Sequence, residues 1–172
     1  MQIEQLTPEA MAAEIEALAD VLHACVLDGA SIGFVLPFAP AEAAGFWRKV
    51  QAEVADGGTR ICVARLEGRL VGCVLLQLAA KPNQRHRADI AKLLVHPAAR
   101  RRGLGRALMQ AAEACARLEG RTLLNLDTRT GDPSEALYRS LGFELMGIAP
   151  AYARHPVADV LEDCSFMFKR LA

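Results

Sequence analysis

Aromatic residues are scarce in this chain: six Phe, two Tyr and one Trp. An excess of one charge is absent too, because 20 Lys and Arg balance 20 Asp and Glu. A neutral chain gives a nucleic-acid partner no bulk electrostatic support. The local basic stretch from Lys81 to Arg87 has no interleaved aromatics, so it reads as a solvated hairpin loop. No apolar run approaches the length of a membrane span. Glu4, Glu9 and Glu14 stand where a secretory signal would carry basic residues. Neither a membrane nor a nucleic acid is therefore expected as a partner, and the expected location is cytoplasmic. The five cysteines (Cys25, Cys62, Cys73, Cys115, Cys164) are odd in number and contain no Cys-x-x-Cys pair, which fits buried reduced thiols. His23, His86 and His155 lack metal-ligand spacing, and His96 before Pro97 reads as a loop residue, so no metal site is expected.

What is present is enough apolar material for a core. At 172 residues and 52% hydrophobic, the chain suits one domain over 1–172. Thr7 and Pro8 open a helix that carries Met11, Ile15, Leu18, Leu22 and Cys25 at helical spacing. The run from Gly29 to Gly33 breaks it, Pro40 opens a second helix, and Gly57-Gly58 closes that one. Residues 60–66 and 70–78 read as a hairpin about Glu67-Gly68-Arg69, and 88–95 as the next strand. A helix follows with Leu104, Ala107, Leu108, Ala111, Ala112, Cys115 and Leu118 on one stripe. Strands at 122–128, 143–148 and 165–169 and a short helix from Asp132-Pro133-Ser134 complete the pattern. The mixture of hairpins and crossovers predicts an α/β fold around one mostly antiparallel sheet.

The most informative segment is Arg100-Arg101-Arg102-Gly103-Leu104-Gly105-Arg106. It joins a strand to a helix. Two glycines spaced by one residue let successive N–H groups face one concavity, and the helix macrodipole favours an anion there. Four arginines add positive charge, so the site suits a polyphosphate. A nucleotide-triphosphate loop would need Gly-Lys followed by Ser or Thr, and a dinucleotide fingerprint would need a glycine where Leu108 stands. Neither is present.

Read from Arg100 to Gly105, the loop resembles the Arg/Gln-x-x-Gly-x-Gly/Ala pyrophosphate loop of the GNAT (GCN5-related) N-acetyltransferases. The downstream string Ala136-Leu137-Tyr138-Arg139-Ser140-Leu141-Gly142-Phe143 is similar to a second signature of that family, and the likeness spans residues 59–148. It implies helices on both faces of the sheet and a splayed strand pair holding acetyl-CoA as co-substrate. It implies cofactor contacts at Leu93, Leu94 and Val95, through Arg100, Arg101, Arg102, Gly103, Leu104, Gly105 and Arg106, and at Tyr138. Ser134 would stand in for a pantetheine-holding asparagine whose position here is Gly131. The Leu93 amide would polarise the thioester carbonyl, a role worth roughly 3 kcal/mol. Tyr138 would return a proton to the departing thiolate.

An amine of pKa ~10 must lose a proton before it attacks, at a cost of roughly 4 kcal/mol at pH 7. Two bases are candidates, Asp89 and Asp127. Strand alternation over four residues puts the Asp89 and Leu93 side chains on one face, and Asp89 matches the family's catalytic carboxylate. Asp127 lies near the end of the next strand and could also anchor the substrate ammonium.

The walls that would choose the acceptor are residues 28–38 and 149–163. The strings Gly29-Ala30-Ser31-Ile32-Gly33-Phe34, Lys81-Pro82-Asn83, Leu126-Asp127-Thr128 and Glu135-Ala136-Leu137-Tyr138, with the Pro150-x-Tyr152 corner, resemble the bacterial tabtoxin-resistance acetyltransferases. Those enzymes acetylate the amino group of a toxic β-lactam amino acid. The resemblance implies a small, polar, amino-acid-like amine, either a toxin or antibiotic that is thereby detoxified or an ordinary metabolite; charge complementarity alone suggests Arg154 or Arg87 for its carboxylate and Asp127 for its ammonium. Two other readings stay open: acetylation of a protein or peptide amine, and a non-catalytic acyl-CoA sensor. The strand around Phe166 to Lys169 is the expected pairing edge of a homodimer.

Overall fold

The computed structural model describes residues 1–171. Seven strands form one sheet: β1 (Gln2–Gln5), β2 (Thr59–Leu66), β3 (Arg69–Leu78), β4 (Arg87–Val95), β5 (Leu123–Arg129), β6 (Glu144–Arg154) and β7 (Leu161–Arg170). Their spatial order is β1-β2-β3-β4-β5-β7-β6. Every pairing is antiparallel except β4 with β5.

Helices cover both faces. On one face lie α1 (Pro8–Ala13), α2 (Ile15–Leu27) and α3 (Pro40–Ala55), with Met11, Leu18, Leu22 and Trp47 buried against Ile61, Val63, Cys73 and Leu75. On the other lie α4 (Leu104–Leu118) and α5 (Pro133–Ser140), packed through Leu104, Leu108, Met109 and Tyr138 onto Val74, Leu76, Ala88 and Leu124. The alternation of β2 and β3 supplies both cores, as a period of two requires. Local chemistry sets the helix starts. Thr7 Oγ1 accepts from the Ala10 N–H at 3.2 Å, and Glu42 reaches back to the Ala39 N–H at 2.8 Å.

Several boundaries differ from the sequence expectation. β1 was not anticipated; its four residues make too short a run to show alternation. The first helix is two, parted at Glu14, whose carboxylate pairs with Arg65 at 2.7 Å. Leu118, placed on the apolar stripe of α4, is 89% exposed in the last turn, while Met109 and Ala116 are buried. The C-terminal strands are longer than expected, so residues 149–163 form mostly a hairpin. β7 is also no free edge: β5 and β6 pair with it on either side, so Phe166–Lys169 has no backbone left to join another subunit.

Two irregularities shape the middle of the sheet. β4 and β5 pair only at Arg87↔Leu123, Ala88↔Leu124 and Asp89↔Asn125, and beyond these the ladder ends. Opposite β3, β4 carries a bulge: the register shifts between Cys73 and Leu75, and Lys92 has φ 49°. A Cβ on Gly72 would stand 2.6 Å from the Leu94 carbonyl oxygen, so only glycine lets β3 approach the bulged strand this closely.

Candidate active site

Where β4 and β5 part, a cavity of about 800 Å³ opens, lined on one side by Ile90 to Val95. Because β5 no longer pairs there, the β4 edge keeps backbone groups available to a ligand. The mouth is formed by the turn into α4. Gly103 caps that helix in the left-handed conformation at φ 79°, Arg101 also has positive φ at 64°, and Gly103, Leu104, Gly105 and Arg106 all line the cavity. The first turn of α4 therefore aims its unpaired N–H groups inward, with the positive end of the helix behind them. Arg101 and Arg106 carry the charge at this mouth. Arg106 also donates to Ser140 Oγ at 2.7 Å.

Arg100 lines the cavity but is engaged elsewhere. It donates to Asp28 at 2.5 Å and, through Nε, to the Val95 carbonyl at 3.2 Å, tying the end of α2 to the loop. The Val95 carbonyl is thereby satisfied by the protein itself. Arg102 is not among the lining residues.

Tyr138 and Ser134 approach from α5. Asp132 caps that helix by accepting from the Ser134 N–H at 2.9 Å, and Pro133 fills its first turn. Ser134 Oγ donates to Asp132 at 2.7 Å and lies 2.8 Å from Thr128 Oγ1, so its hydroxyl is already bonded on two sides. Tyr138 borders the cavity with only 6% of its surface exposed. Burial pushes its phenol up, reinforced by the charges of Asp132 and Asp127, so it stays protonated at any ordinary pH.

The two carboxylates separate. Asp127 lines the cavity from β5, with the Cys164 thiol 3.7 Å away; burial and that neighbouring charge push the thiol up to about 11. Asp89 does not line it. Arg87 Nη1 grips both Asp89 oxygens at 2.7 and 2.8 Å, and Asn125 donates to one at 3.2 Å. The expected shared face of Asp89 and Leu93 also fails. Ala88 and Ile90 pack toward α4 before the bulge, and Leu93 and Val95 do so after it, so the extra residue at Lys92 reverses the alternation and leaves Asp89 facing the other way. Arg87 and Arg154, the expected carboxylate holders, lie outside the lining as well; Arg87 holds Asp89 and Arg154 holds Asp159 at 2.5 Å.

Two cationic lining residues lie outside the sequence expectation. Arg129, two residues past Asp127 on the same face of β5, donates to the Gly29 carbonyl at 2.8 Å. Its Nε lies 2.8 Å from Glu162, a close charge contact whose N–H is not aimed at the oxygen. Alternation from Asp127 could have found it. Lys92 is the other, and its signal was a lone charge inside an apolar strand. Burial lowers its ammonium pKa, partly offset by the charge of Asp127. The outer wall closes by backbone: Leu36 N–H donates to the Pro156 carbonyl at 2.9 Å, joining residues 28–38 to the β6–β7 hairpin. Among the described residues no group of His, Cys, Asp and Glu could hold a metal ion, and no helix is long and apolar enough to cross a membrane.

Residues 57–145 match the acetyltransferase (GNAT) domain family. The chain is 33% identical over 118 residues to an uncharacterized N-acetyltransferase from the hisH–hisA intergenic region of Azospirillum brasilense, covering 67% of this chain and 68% of that one. Among solved structures, a ribosomal-protein-alanine N-acetyltransferase from Brucella melitensis superposes with TM-score 0.81 at 24% identity, covering 99% and 100% of the two chains. A phosphinothricin acetyltransferase from Sinorhizobium meliloti in complex with acetyl-CoA gives TM-score 0.80 at 24% identity, covering 100% and 90%. The splayed strands, the basic glycine turn and these matches converge: the chain belongs to the GNAT family of N-acetyltransferases.

Proposed function

We propose that this enzyme transfers an acetyl group from acetyl-CoA to the primary amine of a small, polar, amino-acid-like molecule. The single observation that carries the acceptor class is the closure of the wall. Leu36 N–H on Pro156 O joins the two acceptor-side segments, and Arg129 in the cavity wall bridges Gly29 of one and Glu162 of the other, which suits a small molecule better than an extended peptide. The strings that resemble the tabtoxin-resistance enzymes lie partly on that wall, and detoxification of an amine-bearing toxin is the physiological role that resemblance suggests.

The residues present fit acetyl-CoA. The α4 N–H groups with Arg101 and Arg106 suit a pyrophosphate, and the unpaired edge of β4 suits an amide-bearing arm. When bound, the cofactor supplies an acetyl thioester. Leu93 is proposed to donate its backbone N–H to the thioester oxygen as charge develops there. Asp127, facing the cavity while Asp89 is held by Arg87, is proposed to take the proton from the acceptor ammonium, directly or through water. Tyr138, kept protonated by burial, is proposed to give its proton to the sulfur as the carbon–sulfur bond breaks. The amine gains the acetyl group and gives up its second proton, which restores the Tyr138 phenol directly or through water, and the thiolate leaves as thiol.

The test is acetyl-CoA-dependent thiol release with free amino acids, dipeptides, polyamines, aminoglycosides and histone-type peptides. Turnover of free amino acids or close analogues is the expected result. Turnover of peptides alone would replace this reading with protein acetylation. Saturable acetyl-CoA binding with no transfer to any amine would indicate a sensor.

A further inference from the structure

One cation beside the acceptor wall, Lys92, has no ion-pair partner among the described residues, and the Asp127 charge reaches it only from longer range. Lys92 sits on the β4 bulge, and its ammonium lies 5.5 Å from the ring centroid of Phe46 and 6.0 Å from that of Phe34. It stands 4.0 Å from where a Cβ on Gly33 would be, which puts it beside the glycine-rich acceptor wall. The other charges on that wall are ion-paired or hydrogen-bonded within the protein. Asp28 is held by Arg100 at 2.5 Å, Glu162 lies 2.8 Å from Arg129, and Asp163 accepts from the Ala151 N–H at 2.9 Å. Among the described residues, Lys92 Nζ forms no hydrogen bond and no ion pair. Two aromatic faces stabilise an ammonium only in part. A half-buried cation facing a cavity gains from an anion that meets it there.

We infer that Lys92 is the anion subsite of the acceptor pocket: it binds a carboxylate or comparable acidic group on the amine, while Asp127 meets the ammonium. The acceptor is then a zwitterion, read by an acid on β5 and a base on β4 across the gap between those strands. Phe34 and Phe46 flank the Lys92 ammonium, and the bulge aims the side chain at this wall instead of along the regular pleat. The inference deepens the N-acetyltransferase reading and rests on it.

The experiment compares matched acceptors: each free α-amino acid against its carboxamide and its decarboxylated amine. Wild type, Lys92→Met and Lys92→Arg are assayed by thiol release, with acetyl-CoA affinity measured for each as a check that the fold survives. Wild type is expected to favour the acid-bearing member at least tenfold in kcat/KM, mainly through KM. Lys92→Met, of similar length and no charge, is expected to bring that ratio near one, and Lys92→Arg to keep most of it. An undiminished ratio in Lys92→Met, or a wild-type preference for carboxamides, would overturn the inference while leaving the N-acetyltransferase reading standing. Silence with every amine would overturn that reading and this inference together. If Lys92→Met loses acetyl-CoA affinity, Lys92→Gln and Lys92→Arg decide: similar ratios in both would refute a role for the charge.

Discussion

Replacing Gly72 by alanine tests the bulged centre of the sheet. The added Cβ would meet the Leu94 carbonyl oxygen at 2.6 Å, Leu108 Cδ1 at 3.3 Å and Val95 Cα at 3.4 Å. Leu108 can turn aside, but a carbonyl within the β3–β4 ladder can yield only if β4 moves. Overpacking of a tight core costs about 1–3 kcal/mol, and a backbone obstacle argues for the upper end. Restricting the unfolded chain returns about 0.4–1 kcal/mol, because Gly72 has no positive φ. The net loss is then about 2 kcal/mol. At roughly 2–4 °C per kcal/mol for a chain of this size, Tm should fall by about 4–8 °C. The moving strand is the proposed cofactor edge, so KM for acetyl-CoA should rise together with the loss of stability. Gly45→Ala in α3, where a Cβ meets nothing within 4 Å, is the control and should raise Tm slightly. A Gly72→Ala protein melting within about 1 °C of wild type, with unchanged KM, would refute the argument.

Asp127→Asn should lower kcat/KM at pH 7 by about 10²-fold or more and by much less at pH 9, where the free amine is abundant. Asp89→Asn should leave turnover within a few-fold and act mainly on stability through the lost Arg87 pair; comparing both pH–rate profiles decides which carboxylate is the base. Tyr138→Phe should lower kcat by about 10²-fold with acetyl-CoA affinity retained, measured by titration against single-turnover rates. Lys92 makes a pH-dependent contribution of defined sign. Its folded pKa is depressed below the ordinary 10.5, so between the two values the unfolded chain binds a proton that the folded chain does not. Wild-type stability relative to Lys92→Met should therefore rise as pH climbs toward 10.5, and a flat difference in denaturant midpoints across that range would contradict it.

The parts legible in the sequence were those with strong local chemistry. The glycine-arginine turn, the hairpin at Glu67-Gly68, the Thr7 and Asp132 caps and the stripe on α4 each follow from residues close together in the chain. Asp127 and Tyr138 could be placed because each lies on an element whose period is regular. Asp89 was misplaced for the opposite reason: one extra residue at Lys92 inverts every side chain after it, and no local pattern announces a bulge. Gly72, the partner of that bulge, lies twenty residues upstream, so the two form a signal only in three dimensions. Arg100 reads as a phosphate ligand by motif, yet its contact with Asp28 depends on where α2 ends. The exclusion of Phe166–Lys169 from an intersubunit edge likewise needed the strand order, which alternation alone does not supply.

The short β4–β5 ladder has a consequence for how the molecule survives in use. Among the described residues, three residue pairs and the backbone bonds of Thr122 and Leu123 to His86 beside them join the β1–β4 half of the sheet to the β5–β7 half. A ligand bridging the gap would act as an eighth strand, adding to cohesion with the logarithm of its concentration relative to its dissociation constant. At a hundredfold excess over its dissociation constant that is worth about 2.7 kcal/mol. Heat resistance and protease resistance would then follow the supply of thioester, and a cell short of acetyl groups would hold the same chain in a looser, shorter-lived form.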